Sequence, residues 1–472
     1  MSSTRMSATQ LTFGHAPPPA GALRTAPAAP TAAAGLPGAP PPRPPMAKAG
    51  PPAGETADHP HPAAADDASR TGGACPDAAA VDADVTMAVR TVLAHLLATR
   101  LADAEGRGAL FVQDLARRVT DFTLHGGHRV RPRLLWWALR ACGGGDRDQT
   151  RAALQAGAAM ELLQTCALLH DDLMDAAHTR RGRPALHVAV ARQYAGATRY
   201  AGAPRGGARR LGDAAGVLAG DLALAWSDDV MTDLLLDGGT LPPGAVHRVR
   251  DLWRATRTEM VAGQYLDVHG QATAQLTVPR ALNAACLKSA LYTVARPLEL
   301  GAALAGADTA VTRALCRAGR CAGLAFQLRD DLDDLFADPD ATGKPSGGDV
   351  RAGKPTYLMA LARARAVVAG DTAVLGVLHE SAGRADLTER GLDRVRDVLT
   401  ATGTRDLVRE RIERLFCRAR SHLAAADLPP GPAAILQALL AETAGAPGRR
   451  PEPVDGPPGG TTPAPAAMGV RR

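Results

Sequence analysis

Three carboxylates close an apolar stretch at Leu168-Leu169-His170-Asp171-Asp172-Leu173-Met174-Asp175. On a helix Asp171 and Asp175 stack one turn apart, and Asp172 lies about 100° round from Asp171. Like charges at that spacing cost a helix roughly a few tenths of a kcal/mol per pair, so something cationic should neutralise them. Hard divalent cations such as Mg²⁺ suit that role, because they take oxygen ligands and bridge carboxylates to substrate phosphates. The device recurs in Phe326-Gln327-Leu328-Arg329-Asp330-Asp331-Leu332-Asp333-Asp334, where Asp330, Asp331 and Asp334 repeat the spacing. A single acidic run is usually a solvated helix face. Two of matching form, each ending an apolar helical run, point instead to a pair of metal-binding positions.

Basic residues gather near these carboxylates in the sequence. In Gly126-Gly127-His128-Arg129-Val130-Arg131-Pro132 the glycines free the backbone to turn, and Pro132 suits the first turn of a helix running to Ala141. Basic groups at a helix start form an anion site with the free backbone N–H groups. Arg180 and Arg181 follow the first acidic cluster directly. Adjacent arginines usually serve solubility; beside a carboxylate cluster they read better as diphosphate clamps, since guanidinium matches phosphate oxygens bidentately. The chain contains only four lysines, Lys48, Lys288, Lys344 and Lys354, against many arginines. The compact ammonium suits a phosphate oxygen where a planar fork would not fit.

With these motifs the chain resembles the trans-isoprenyl diphosphate synthases, the polyprenyl synthetase family. The motif match runs from about Gly126 to Thr356, and the similarity of fold is expected over residues 85–442. The resemblance implies an all-α, single-domain antiparallel bundle of the isoprenoid synthase type around a deep central cavity. It implies Mg²⁺, with Mn²⁺ as an alternative, held by Asp171, Asp172, Asp175, Asp330, Asp331 and Asp334. Lys288 and Lys344, with Arg180, would stabilise the leaving diphosphate of an allylic substrate. Arg131, Arg181 and Gln164 would position isopentenyl diphosphate, and Ser289 and Gln327 would also bind substrate. The family pattern has Lys where this chain has His128, which carries no fixed charge near neutral pH and puts isopentenyl diphosphate affinity in question. Gly263-Gln264-x-x-Asp267 resembles a family helix motif near the cavity, with Asp267 read evenly as a site group or a paired buried carboxylate. Gly343 to Asp349 would form a flap over bound diphosphate. The implied reaction is head-to-tail 1′-4 condensation to an all-trans polyprenyl diphosphate. Cys166 and Ala167 stand one turn or so before the first cluster, and their small size would leave the cavity open toward Leu162 and Leu163. That leads to geranylgeranyl diphosphate as the expected product. A homodimer is usual in the family.

The elements that must position these groups read as helices. Apolar residues recur at helical spacing from Val85 to Ala102, Leu110 to Phe122, Ala152 to Asp175 and Val246 to Val268. Residues 194–211 read as a surface loop, and Asp228-Asp229 as solvent-facing. The 472 residues divide into an Ala/Pro-rich segment 1–82, a synthase domain 83–444 and a second Pro/Gly-rich segment 445–472. The end segments are too poor in large apolar residues to offset ordering entropy and are expected to be disordered tails. The first could recruit a protein partner or shell. A formal charge of +6 without a Lys/Arg block argues against nucleic acid and for a small anionic substrate. Seven cysteines without paired spacing argue for a reducing, cytoplasmic setting. No unbroken apolar run reaches about 18 residues, so no spanning helix is expected.

Two rival readings remain at this point. A class I terpene cyclase shares the helical cavity and one aspartate cluster, but the second Asp-Asp-x-x-Asp and the basic motifs disfavour it. A weakly active partner or cargo subunit would show broken aspartate clusters, and both are intact.

Overall fold

The computed structural model describes residues 76–196, 206–237, 241–338 and 346–443. These segments are helical almost throughout. Lys344 lies outside the described residues, as do residues 1–75 and the whole of 445–472.

The chain opens with α1 (Ala78–Ala83) and α2 (Val85–Glu105). Asp77 and Asp84 accept backbone N–H bonds from Ala80 and Met87 and so start the two helices. Helix α1 corrects the expected domain boundary. Val81 is fully buried, and Asp82 accepts hydrogen bonds from the Trp136 indole and the Arg140 guanidinium, so the packed chain begins before residue 83. Helix α3 (Ala109–Phe111) passes through a π-helical turn, Val112–Ala116, into α4 (Arg117–Leu124). Helix α5 spans Val130–Ala141.

The central element is α6, Arg147–Met174. It starts one turn earlier than its apolar pattern suggests, because Asp146 and Gln149 form a reciprocal capping box. Its buried residues cover nearly its whole circumference, from Ala152 to Leu169. Helices α7 (Leu186–Gln193), α8 (Gly207–Leu236) and α9 (Ala245–Thr273) follow, and α8 packs along α6. The α8 range shortens the loop expected over 194–211.

Helix α10 (Val278–Ala285) runs into a second π-helical segment, Cys286–Ala295, then α11 (Arg296–Leu304) and α12 (Thr309–Phe336). Asp308 caps α12 through the Val311 N–H. The chain then returns through α13 (Gly348–Ala352), α14 (Tyr357–Ala369), α15 (Thr372–Ser381), α16 (Glu389–Ala401), α17 (Thr404–Ala424) and α18 (Pro430–Thr443).

Three apolar clusters hold these elements together. One joins α2, α6 and α8, the second joins the C-terminal half of α12 to α14–α17, and the third joins α5, α11 and the N-terminal half of α12 to α18. Helices α2 and α6 are long and apolar enough on average to cross a bilayer. Helix α6, however, is mostly buried in the bundle. Helix α2 turns Val85, Val89, Leu93 and Leu97 inward and Arg90, Thr91, His95 and Thr99 outward. Both therefore serve as bundle helices here. Asp228 is not simply solvent-facing as expected: the Trp253 indole donates to it at 2.7 Å, and it pairs with Arg257.

Candidate active site

The first acidic cluster ends α6, and each of its carboxylates already meets a cation. Asp171 Oδ1 lies 3.3 Å from Lys288 Nζ and accepts the Gln264 amide at 3.0 Å, while its Oδ2 lies 3.3 Å from Arg180 Nη2. Burial would push the Asp171 carboxyl up, but Lys288, Lys354, Gln264 and Arg180 outweigh it and hold the group below the ordinary carboxylate range. Asp172 is 1% exposed and accepts from Arg180 Nε at 2.7 Å. For Asp172 burial wins over Arg180, and its pKa is raised. Its Oδ2 is buried without a hydrogen-bond partner among the described residues. Asp175 caps the helix and lies 3.0 Å from Lys354 Nζ.

The second cluster ends α12. Asp330 is exposed to the cavity, whereas Asp331 is buried and accepts the Gln327 amide at 2.8 Å. Burial, with Asp349 and Asp330 close by, pushes Asp331 well above its ordinary pKa. Gln327 in turn accepts from the Ser289 hydroxyl. Asp334 accepts the Asp349 backbone N–H at 3.1 Å. In both clusters, then, the second of the paired aspartates turns inward and braces a neighbour, Arg180 or Gln327. The roughly 100° step between consecutive helical residues produces this division.

Four other elements bring the counter-charges. Arg180 arrives on a short hairpin, β1 (Thr179–Arg180) paired antiparallel with β2 (Arg183–Pro184). The turn residues Arg181 and Gly182 have φ of 53° and 73°, the left-handed pair that a tight two-residue hairpin requires. Arg181 lies over the Phe122 ring, 5.5 Å from its centroid. Burial, with Arg129 and Arg180 nearby, lowers the Arg181 pKa. Lys288 comes from the π-helical segment, a distortion often found at functional sites. It can reach the site because Gly263 of α9 lies against its backbone: a Cβ at Gly263 would sit 2.5 Å from Lys288 N. Asp267 of α9 then pairs with Lys288 Nζ at 2.5 Å. The two readings of Asp267 therefore merge, since it is a paired carboxylate that also borders the cavity. Lys354 bridges Asp175 and, at 3.6 Å, Asp349.

Two cavities result. The first, about 500 Å³, is polar and bordered by Asp171, Asp267, Asp330, Asp331, Asp334 and Asp349 together with Arg180, Lys288 and Lys354. The second, about 650 Å³, is mainly apolar, with Ala167, Leu168, Met260, Val261, Tyr292 and Phe326 in its wall. Asp171, Lys288, Gln327 and Asp330 border both. Ser289, Gln164 and Arg131 line the apolar cavity as well. Arg131 donates to the Thr293 hydroxyl at 2.8 Å and lies 4.4 Å from the Tyr292 ring centroid. The Gln164 carbonyl oxygen and the Tyr292 hydroxyl are buried without a partner among the described residues. His128 is exposed at the loop before α5, and its neighbour Arg129 is buried and paired with Glu161.

One expectation about cavity depth is corrected. Ala167 faces the cavity, but Cys166 does not: its Sγ points toward the His170 ring at 3.8 Å, and burial pushes its thiol up to about 12. Leu162 and Leu163 belong to the packed core between α6 and its neighbours. The side-chain direction follows from helix phase, which single positions in a uniformly apolar stretch do not reveal. Sequence reasoning named Lys354 only as a phosphate-binding or site-adjacent lysine and gave Asp349 no role of its own; that Lys354 joins Asp349 to Asp175 depends on the return of the chain after α12, which leaves no local signal.

Among the described residues no three His, Cys, Asp or Glu side chains converge into a closed metal cage. The donor set nevertheless fits Mg²⁺, an ion usually held by one or two carboxylates plus phosphate and water oxygens. Asp171, Asp175, Asp330 and Asp334 are hard oxygen donors at or beside one cavity, and the second Asp172 oxygen has no hydrogen-bond partner among the described residues.

Comparison with known proteins places this arrangement. The family model for polyprenyl synthetases matches residues 113–386. The geranylgeranyl diphosphate synthase of Methanosarcina mazei is 32% identical over 235 residues, which are 50% of this chain and 63% of that protein. The chain thus spans somewhat less than two thirds of that relative. The (2E,6E)-farnesyl diphosphate synthase of Mycobacterium tuberculosis is 31% identical over 313 residues, covering 66% of this chain and 78% of that protein. A crystal structure of geranylgeranyl pyrophosphate synthase from Corynebacterium glutamicum, complexed with isoprenyl diphosphate and magnesium, superposes with a TM-score of 0.68 at 35% identity, over 76% of this chain and 97% of that one.

Proposed function

From the premise that this chain belongs to the polyprenyl synthetase family, we propose that it is a Mg²⁺-dependent prenyltransferase. It condenses an allylic diphosphate with isopentenyl diphosphate, head to tail, to a short-chain all-trans product, geranylgeranyl diphosphate. The observation that carries this reading is the shared wall between the two cavities: a charged chamber adjoins an apolar one through Asp171, Lys288, Gln327 and Asp330. That is the geometry required to hold a diphosphate and its hydrocarbon tail at once. A class I terpene cyclase or a weakly active partner or cargo subunit gains no support from the site.

Asp171, Asp175, Asp330 and Asp334 are the residues that would hold Mg²⁺, which when bound neutralises charge on the leaving diphosphate. Arg180, Lys288 and Lys354 border the same chamber and can exchange their carboxylate partners for phosphate oxygens. Their charges are fixed before the C–O bond ionises, so little reorganisation is needed as negative charge develops. Arg181 and Arg131 remain for isopentenyl diphosphate, with Gln164 beside them. Alignment of the two substrates then replaces any covalent step. The departing diphosphate is the base for the final proton. Among the described residues all six cysteines are free, in keeping with a reducing setting such as the cytoplasm. Exposed apolar side chains on α8, including Leu211, Val217 and Leu218, suit association of two copies. Sedimentation of wild type and Leu218→Arg tests that part of the proposal. A role for the N-terminal segment in recruiting a protein partner stays a proposal of the same kind, tested by co-purification with and without residues 1–75.

The direct test is incubation with isopentenyl diphosphate, allylic primers of several lengths and Mg²⁺, followed by chromatography. Elongated linear diphosphates ending at the C20 length are expected. Cyclised hydrocarbons, or no elongation from any primer, would overturn the proposal.

A further inference from the structure

Helix α16 lies beyond residue 386, where the family match ends, yet it grips the turn that completes the polar cavity. Leu392 and Arg396 stand one turn apart on the same face. Arg396 Nε donates to the Leu335 carbonyl at 2.7 Å, and its Nη2 donates to the Ser346 hydroxyl at 2.7 Å. The Ser346 hydroxyl itself donates to the carbonyls of Asp334 and Leu335 at 3.1 and 3.2 Å. The next residue, Gly347, has φ of 75° and donates its N–H to the Asp334 carbonyl at 2.6 Å. A Cβ there would lie 2.5 Å from a methyl of Leu392, so α16 touches the turn backbone directly. Two residues on, the Asp349 N–H holds the Asp334 carboxylate.

These contacts form one chain of cause. Helix α12 ends at Phe336, and its last carbonyls need donors from outside the helix. Arg396 supplies one and, with the same planar fork, fixes Ser346. Ser346 and Gly347 set the path of the backbone, and that path puts the Asp349 N–H on Asp334. We propose that Arg396 is a positioning residue for the metal–diphosphate chamber, acting through Ser346 and the turn on Asp334 and Asp349. It touches neither substrate nor reacting atoms. One edge of its guanidinium reaches the Leu335 carbonyl and the Ser346 hydroxyl while Nη1 pairs with Asp393 at 2.6 Å on the same helix, an arrangement that a lysine ammonium on a single point could not reproduce. The inference rests on the prenyl-transfer reading given above.

The test compares wild type with Arg396→Met, Arg396→Lys, Ser346→Ala and the Arg396→Met/Ser346→Ala pair. Steady-state constants are measured alongside the calorimetric Kd for inorganic diphosphate in the presence of Mg²⁺. In Arg396→Met the Kd, the KM for the allylic diphosphate and the Mg²⁺ concentration at half-maximal rate each rise about tenfold, the usual scale when a residue supporting a metal ligand is lost, while kcat at saturation falls far less. Ser346→Ala shifts the same quantities by a smaller factor. The pair is no worse than Arg396→Met alone, because both changes break one link. Arg396→Lys recovers part of the loss. If Arg396→Met does not fold, Ser346→Ala carries the test alone. Unchanged Kd, KM and Mg²⁺ requirement in the folded variants, with only the melting temperature lowered, would reduce Arg396 to a structural role and sink the inference. Failure of wild type to elongate any primer would instead strike the prenyl-transfer reading.

Discussion

Two matters that spacing left open turn on individual side chains. The first is product length. Ala167 borders the apolar cavity, so Ala167→Phe should shorten the product, read as a shift from C20 toward C15 on chromatography. Cys166→Phe, aimed at the core beside His170, should leave length unchanged and cost about 1–3 kcal/mol through overpacking. The second is charge. Burial, with Asp334, Asp330 and Asp267 around it, outweighs Lys354 and pushes Asp349 up to about 6. Between about pH 4 and 6 the folded chain therefore keeps a proton that the unfolded chain has released, and stability falls as pH rises through that window. Asp349→Asn lacks this contribution. In metal-free buffer its stability relative to wild type should rise across the window, by at most about 3 kcal/mol, as read by denaturant unfolding at each pH. His128 is exposed, and His128→Lys, which adds a cation beside Arg131 in the sequence, should lower the KM for isopentenyl diphosphate.

At the scale of elements, the helices that end in the aspartate clusters were plain in the sequence. Both α6 and α12 carry an apolar pattern up to their acidic ends, although the capping residues Asp146 and Asp308 that start them were not read. What escaped was whatever depends on distant packing. The two π-helical segments leave no compositional mark, since an inserted residue is stabilised by the neighbours it reaches. Nor did the pattern around Cys166 and Ala167 say which of two small residues faces the cavity. Gly263 shows how such packing can still be probed. Gly263→Ala would force α9 away from the Lys288 backbone. A loss of about 1–3 kcal/mol is expected by chemical denaturation, together with weaker diphosphate binding as Lys288 and Asp267 separate.

For the molecule as a whole, packing among the described residues begins inside the segment that composition set apart as a tail. An Ala/Pro-rich segment runs almost unchanged into α1, whose six residues, AAAVDA, look like more of the same. Only Val81 and Asp82 commit it to the bundle. Removing residues 1–75 should leave turnover and melting temperature near wild type. Removing residues 1–83 should lower stability by about 2–4 kcal/mol, the scale of a lost buried side chain together with a broken hydrogen-bonded ion pair. Thermal unfolding of the two truncations checks this directly.

The partition formed by Asp171, Lys288, Gln327 and Asp330 also bears on how the catalyst stops. A molecule leaving one round has the same ionic head and a tail five carbons longer, so the charged compartment has no means of telling product from starter. On the prenyl-transfer reading iteration is the default behaviour, and termination falls to the oily compartment, whose wall includes Ala167.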